Sequence, residues 1–139
     1  MREIKAGDYS AEPLAKITNA DGSDLCIIRQ PREADIWAME NESKAMQKRA
    51  RAWQKKLVEK ADKKAEAGEE VDGFIDSAPV PRDLSTAYLY AARVAVLSEP
   101  PVKAETLLDA LPLGTINELH AEAMRITLGG EPKKDQSGK

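Results

Sequence analysis

The feature that most constrains this chain is the run from residue 34 to about residue 67, which contains neither proline nor glycine. It is rich in Ala, Lys, Glu, Gln, Met and Leu, side chains that lose little freedom on a helix. The spacing predicts one long helix over residues 33–67. Ile36, Met39, Met46, Ala50, Trp53 and Leu57 recur in steps of three and four, with Ser43 filling the one gap. That spacing puts them on one narrow stripe, like a coiled-coil seam. The stripe ends before Lys60, so the last two turns have no apolar face and are expected to project or fray. Two accounts of the stripe stay open. It packs on the chain's other helices, or Ile36, Met39, Met46, Trp53 and Leu57 bind another copy or another protein.

Between residues 44 and 64 the bases are Lys44, Lys48, Arg49, Arg51, Lys55, Lys56, Lys60, Lys63 and Lys64, opposed only by Glu59 and Asp62. Glu33, Asp35, Glu40 and Glu42 precede this block, and Glu66, Glu69, Glu70 and Asp72 follow it. Acids at the start and bases deeper in suit the helix macrodipole. A solvated helix face is the simpler account of such a block. The functional account is an electrostatic footprint for nucleic acid or an acidic partner, made by Lys48, Arg49, Arg51, Lys55 and Lys56. A formal net charge of −3 and a pI near 5.3 weigh against bulk nucleic-acid binding, because the basic character is only local.

A chain of 139 residues suits one small domain with a modest core, expected over residues 1–130. Aromatics are few, so that core must be built mainly from Leu, Ile, Val, Ala and Met. The single cysteine, Cys26, excludes an internal disulfide and favours a reducing compartment. Within its apolar, strand-like run it reads as a small core residue. No run is long enough to span a bilayer, and the N-terminal MREIKAGDYS lacks an apolar signal region. A soluble cytoplasmic protein is expected.

Residues 1–12 are polar and expected to be loosely held. Residues 14–29 read as a β-hairpin: Leu14 to Ile17 and Leu25 to Ile28 as strands, with Asn19-Ala-Asp-Gly22 as turn chemistry between them. A lone hairpin is marginal in water, so it must pack on a helix, pair with another strand, or pair across a subunit interface. Pro31 fits the start of the long helix, where its missing N–H costs nothing. Gly68 is placed to cap the end of that helix. Residues 68–82 then form an acidic loop, with Phe74 expected to dock it on the core. Asp83 or Ser85 caps a second helix running to about Ser98, apolar over much of its surface and therefore central. A short helix follows over residues 103–110. Thr115-Ile-Asn-Glu118 has the pattern of a capping box and predicts a last helix from Ile116 to Leu128, with Ile116, Leu119, Ala123 and Ile126 inward. Residues 131–139 are expected to be a disordered tail. The fold class is mainly α (α+β): a hairpin, one long helix and three shorter helices.

Nothing in the sequence carries chemistry. The lone histidine, His120, is expected at the boundary of the last helix. No HxxxH, CxxC or clustered carboxylate pattern offers a metal site, and no Gly-rich phosphate loop or cofactor motif is present. Trp37 and Trp53 lie on the long helix. Trp53 has the chemistry to stack on nucleobases, but its place in the stripe favours packing. An enzyme is not expected.

The order of elements resembles the tail assembly chaperones of long-tailed bacteriophages. In that family a small hairpin runs into a helix through an Arg-x-Pro type junction, here residues 14–28 followed by Arg29-Gln-Pro31-Arg-Glu-Ala-Asp35. The resemblance implies a non-enzymatic assembly factor of the host cytoplasm. It would bind the helical tape-measure protein, keep it soluble and recruit tail-tube subunits. It also implies a longer frameshifted form, for which an A-rich run encoding Lys133-Lys134 would serve. The alternatives are a nucleic-acid-associated helical protein using the basic face, and a structural adaptor of a virion.

Overall fold

The computed structural model describes residues 12–128; the tail expected at 131–139 and residues 1–11 of the segment expected to be loosely held lie outside that range. Two strands, β1 (Ala15–Thr18) and β2 (Asp24–Ile28), form the anticipated antiparallel hairpin. Its turn closes by local hydrogen bonding. The Ser23 N–H and hydroxyl donate to Asp21 Oδ1 at 2.9 and 2.6 Å, and Gly22 takes a φ of 88°, which a side chain would resist. Register sets Ile17 opposite Cys26 and Ala15 opposite Ile28. Ile17, Cys26 and Ile28 are therefore buried on one face, while Lys16, Thr18 and Asp24 remain exposed. The hairpin is not left alone. A two-residue strand, β3 (Ser98–Glu99), pairs antiparallel with β2 to give the order β1-β2-β3.

The long helix is α1 (Glu33–Glu66), capped at Ala67 and stopped by Gly68 at a φ of 79°. Its last turns are helical to Glu66, within a residue of the predicted end. Segment 69–81 runs back beside them. Lys64 lies 5.0 Å over the Phe74 ring and 4.0 Å from the Glu69 carboxylate, and further along Arg49 meets Asp83. Phe74 thus braces the end of α1 rather than docking on the core.

A single 3-10 turn (Arg82–Leu84) leads into α2 (Thr86–Ala95), whose N-cap is Ser85. The Ser85 hydroxyl accepts from the Tyr88 N–H at 3.1 Å. α2 touches α1, α3 (Ala104–Ala110) and α4 (Leu113–Thr127), as a central helix should. It ends three residues before the predicted limit at Ser98. Pro100 and Pro101 push the preceding backbone toward extended conformations, and the open edge of β2 takes up Ser98 and Glu99. Leu97 is still fully buried, but through the turn into β3 rather than on a helix face. The Ser98 hydroxyl donates to the Ala95 carbonyl and accepts from the Val102 N–H, tying the end of α2 to the approach to α3.

The start of α4 also differs from expectation. Pro112 is the N-cap, and its carbonyl already accepts from Thr115 and Ile116, so Thr115 lies inside the first turn and heads no capping box. Gly114 lies within the first turn of α4. Ile28, Leu97, Leu107, Ile116 and Val94 are the largest fully buried side chains and make one cluster with Met39 and the small residues of α2. Leu107→Ala is expected to lower the free energy of unfolding by about 2–5 kcal/mol, read from urea denaturation.

Candidate partner-binding surfaces on the long helix

The direction of α1 is set at its first turn by an ion cluster. Arg29, at the end of β2, is buried and makes a two-pronged contact with the buried Asp35 carboxylate, Nη2 donating to Oδ1 at 2.8 Å and Nη1 to Oδ2. Its Nε lies 2.9 Å from Glu99 on β3, and Nη2 also reaches the Val96 carbonyl at 3.3 Å. Asp35 meanwhile accepts from the Arg32 N–H at 2.8 Å, the returning half of a capping box. Burial alone would raise the Asp35 pKa. The hydrogen bonds from Arg29 and Arg32 outweigh it and hold the carboxyl below its usual range. In the sequence Asp35 reads only as a first-turn acid and Arg29 only as a strand end. Nothing in their spacing across Pro31 singles them out as partners.

Of the predicted stripe, Met39 belongs to the main core at 2% exposure, and Leu57 is buried outside that cluster. Neither offers free surface to a partner. Ile36 is exposed, and Met46, Ala50 and Trp53 are half-buried. Trp53, Ala52, Pro81 and Leu84 line a cleft between α1 and the 3-10 turn, with Arg49, Lys56 and Asp83 at its rim. Arg49 is committed to this wall. It lies 3.5 Å from the Asp83 carboxylate, donates to the Asp83 carbonyl at 3.2 Å and sits 5.8 Å over the Tyr88 ring. It is therefore set apart from the bases with which the sequence groups it.

A polar seam joins α1, α2 and α4. Arg93 donates to Ser43 and lies 3.3 Å from His120 Nε2, while the His120 ring stacks on Tyr90 at 3.9 Å. Arginine has no acceptor, so Nε2 must accept and the imidazole is neutral. Burial, and then the Arg93 charge, push its pKa down to about 4. His120 is thus interior rather than at the boundary expected for it. Among the described residues no three His, Cys, Asp or Glu side chains are grouped to hold a metal, and no helix is long and apolar enough to cross a membrane.

The other side of α1 carries Lys44, Lys48, Arg51 and Lys55, all exposed, together with Trp37 at 65% exposure and Val58 at 47%. Lys56 is also exposed but faces the cleft. No ion pair among the described residues involves any of these five bases. The signal for the outer face lay in a second three-four alternation, at positions 37, 41, 44, 48, 51, 55 and 58. Set against known proteins, the chain matches no family model, no curated protein and no solved structure.

Asp35→Asn leaves the buried Arg29 with only the part-exposed Glu99 as counter-charge and is expected to cost about 3 kcal/mol, the lower end for breaking a buried pair. The Asp35 contribution is complete above the unfolded value of about 3.9 and is lost as pH falls through the lower folded value. The difference in Tm between the wild type and Asp35→Asn should therefore narrow below about pH 4. His120 acts at milder pH. The unfolded chain takes up its proton near pH 6.5 and the folded one only near 4, so stability falls as pH drops between those values. His120→Gln, which keeps an acceptor for Arg93, is expected to flatten that slope in urea midpoints measured across this window.

Proposed function

We propose that this chain is a non-enzymatic assembly factor that holds an amphipathic helical client in the Trp53 cleft. The observation that carries this is Trp53 itself, half-buried on an apolar floor with Ala52, Pro81 and Leu84 and bordered by charge at Arg49, Lys56 and Asp83. A helix laid in a groove is read through a few apolar anchors, with charged borders setting register and partner choice. Val80, exposed beside the cleft, extends the apolar ground available to such a client.

The resemblance to tail assembly chaperones supports the same role and supplies a client class: the tape-measure protein, with tail-tube subunits recruited to the complex in the host cytoplasm. The hairpin, the Arg29-Gln-Pro31 junction and the helix that follows are the residues on which that resemblance rests. In this proposal Trp53 anchors the client, while Ile36 and Met46 flank it and Met39 and Leu57 only support the helix from within.

The test is co-expression with a helical fragment of a phage tape-measure protein. The wild-type chain is expected to keep the fragment in the soluble fraction and to co-elute with it. Trp53→Glu, shown folded by its unfolding midpoint, should lose at least about tenfold in affinity, the effect of removing one central aromatic anchor. Trp37→Glu, on the opposite side of α1, should not. Equal binding by the Trp53 variant would remove the cleft from the account. A fragment that the wild type leaves insoluble would remove the chaperone role.

A further inference from the structure

We infer that the outer face of α1 is a docking site for an acidic α-helical segment of a partner protein. It is a different surface from the Trp53 cleft and stands independently of the client proposed there. Positions 37, 41, 44, 48, 51, 55 and 58 alternate in steps of four and three. That repeat keeps one seam facing a neighbouring helix, as a and d positions do in a coiled coil. Here the middle of the seam is Lys44, Lys48, Arg51 and Lys55, a run of about 17 Å at the helical rise. Apolar Trp37 and Val58 stand at its two ends, both exposed.

The bases are poised rather than neutralised. Glu40 lies four residues before Lys44 and Glu59 four residues after Lys55, yet neither closes to an ion pair. Arg49, which is paired, points to the other side. A row of cations with no counter-charge along one seam is complementary to a row of carboxylates at the same helical pitch. Trp37 and Val58 would take apolar residues beyond the acidic stretch.

Charge also selects among occupants. A second copy laid antiparallel and centred on the bases would set Lys44 against Lys55 and Lys48 against Arg51, each in both directions, so the basic stretch repels itself. A phosphate backbone running along α1 would meet Glu33 and Glu40 before the bases and Glu59 and Asp62 after them, all exposed. The positive stretch is therefore matched to about three turns of an acidic helix, not to a long polyanion.

Fluorescence anisotropy on the full chain at low salt tests this. The probes are a labelled amphipathic Glu-rich peptide of about four turns, the same peptide with Lys for Glu, and single- and double-stranded oligonucleotides. The Glu peptide is expected to bind with salt-sensitive affinity, and the Lys peptide not to bind. Tryptophan emission should shift on binding, and the shift should vanish in Trp37→Phe. The fourfold variant Lys44→Glu, Lys48→Glu, Arg51→Glu, Lys55→Glu should lose at least about tenfold in affinity, as several exposed ion pairs together would give. If reversal disturbs the fold, the corresponding fourfold Gln variant is expected to show the same loss. No binding of the Glu peptide, binding unchanged in the variants, or oligonucleotide binding as tight as that of the Glu peptide would each overturn the inference. Tight oligonucleotide binding would assign the face to nucleic acid.

Discussion

Arg29 reaches three elements from the end of a strand. Its guanidinium meets Asp35 at the start of α1, Glu99 on β3, and the Val96 carbonyl just beyond α2. Taking a charge out of water is costly, and a buried pair contributes little net stability over a well-packed apolar substitute. What such a pair supplies is direction. The bidentate contact accepts one orientation of α1 relative to the hairpin, and the Arg32 N–H bond to Asp35 fixes the first turn of the helix to the same carboxylate. Pro31 narrows the backbone between the two charged residues. The inner stripe of α1 then faces α2 and the core, and the outer seam faces solvent.

That geometry makes α1 a beam with two unlike sides. Met39 is consumed by the core. Farther along, the returning segment and the 3-10 turn lie against the beam, held by Lys64 over Phe74 and by Arg49 on Asp83. This return closes one wall of the Trp53 cleft. It also removes Arg49 from the basic block, leaving Lys44, Lys48, Arg51 and Lys55 as a coherent seam on the other side. The chain carries a net charge of −3, so this local segregation, rather than bulk charge, is what can select a partner.

The interior holds a second polar arrangement in the Arg93, His120 and Ser43 contacts, where α1, α2 and α4 meet. A neutral imidazole stacked on Tyr90 and accepting from an arginine packs like an aromatic ring while satisfying one guanidinium N–H. It fixes how α4 sits across α2 without placing a titrating group near neutrality.

Periodicity made much of the fold legible. The long helix, the hairpin, the capping by Ser85 and the short helix after the Pro pair all follow from local spacing and turn chemistry, and the structure places them within a few residues. The two misjudged boundaries each have a physical cause. Val96 and Leu97 continue the apolar character of α2, but burial of Leu97 is achieved by a turn into β3, because β2 had an edge to fill. The Thr115 pattern looked like a helix start, yet the Pro112 carbonyl had already begun the helix. By itself the sequence determined the hairpin and the α-helices to within a few residues, though not β3, and which face of α1 is apolar and where the charge of each sign lies. Only the tertiary structure decided that Arg29 and Asp35 pair, that His120 is interior, and that Arg49 leaves the basic row while Trp37 and Val58 flank it. Local spacing records the period of a face. Which face is covered, and by which charge, depends on residues brought together from distant parts of the chain.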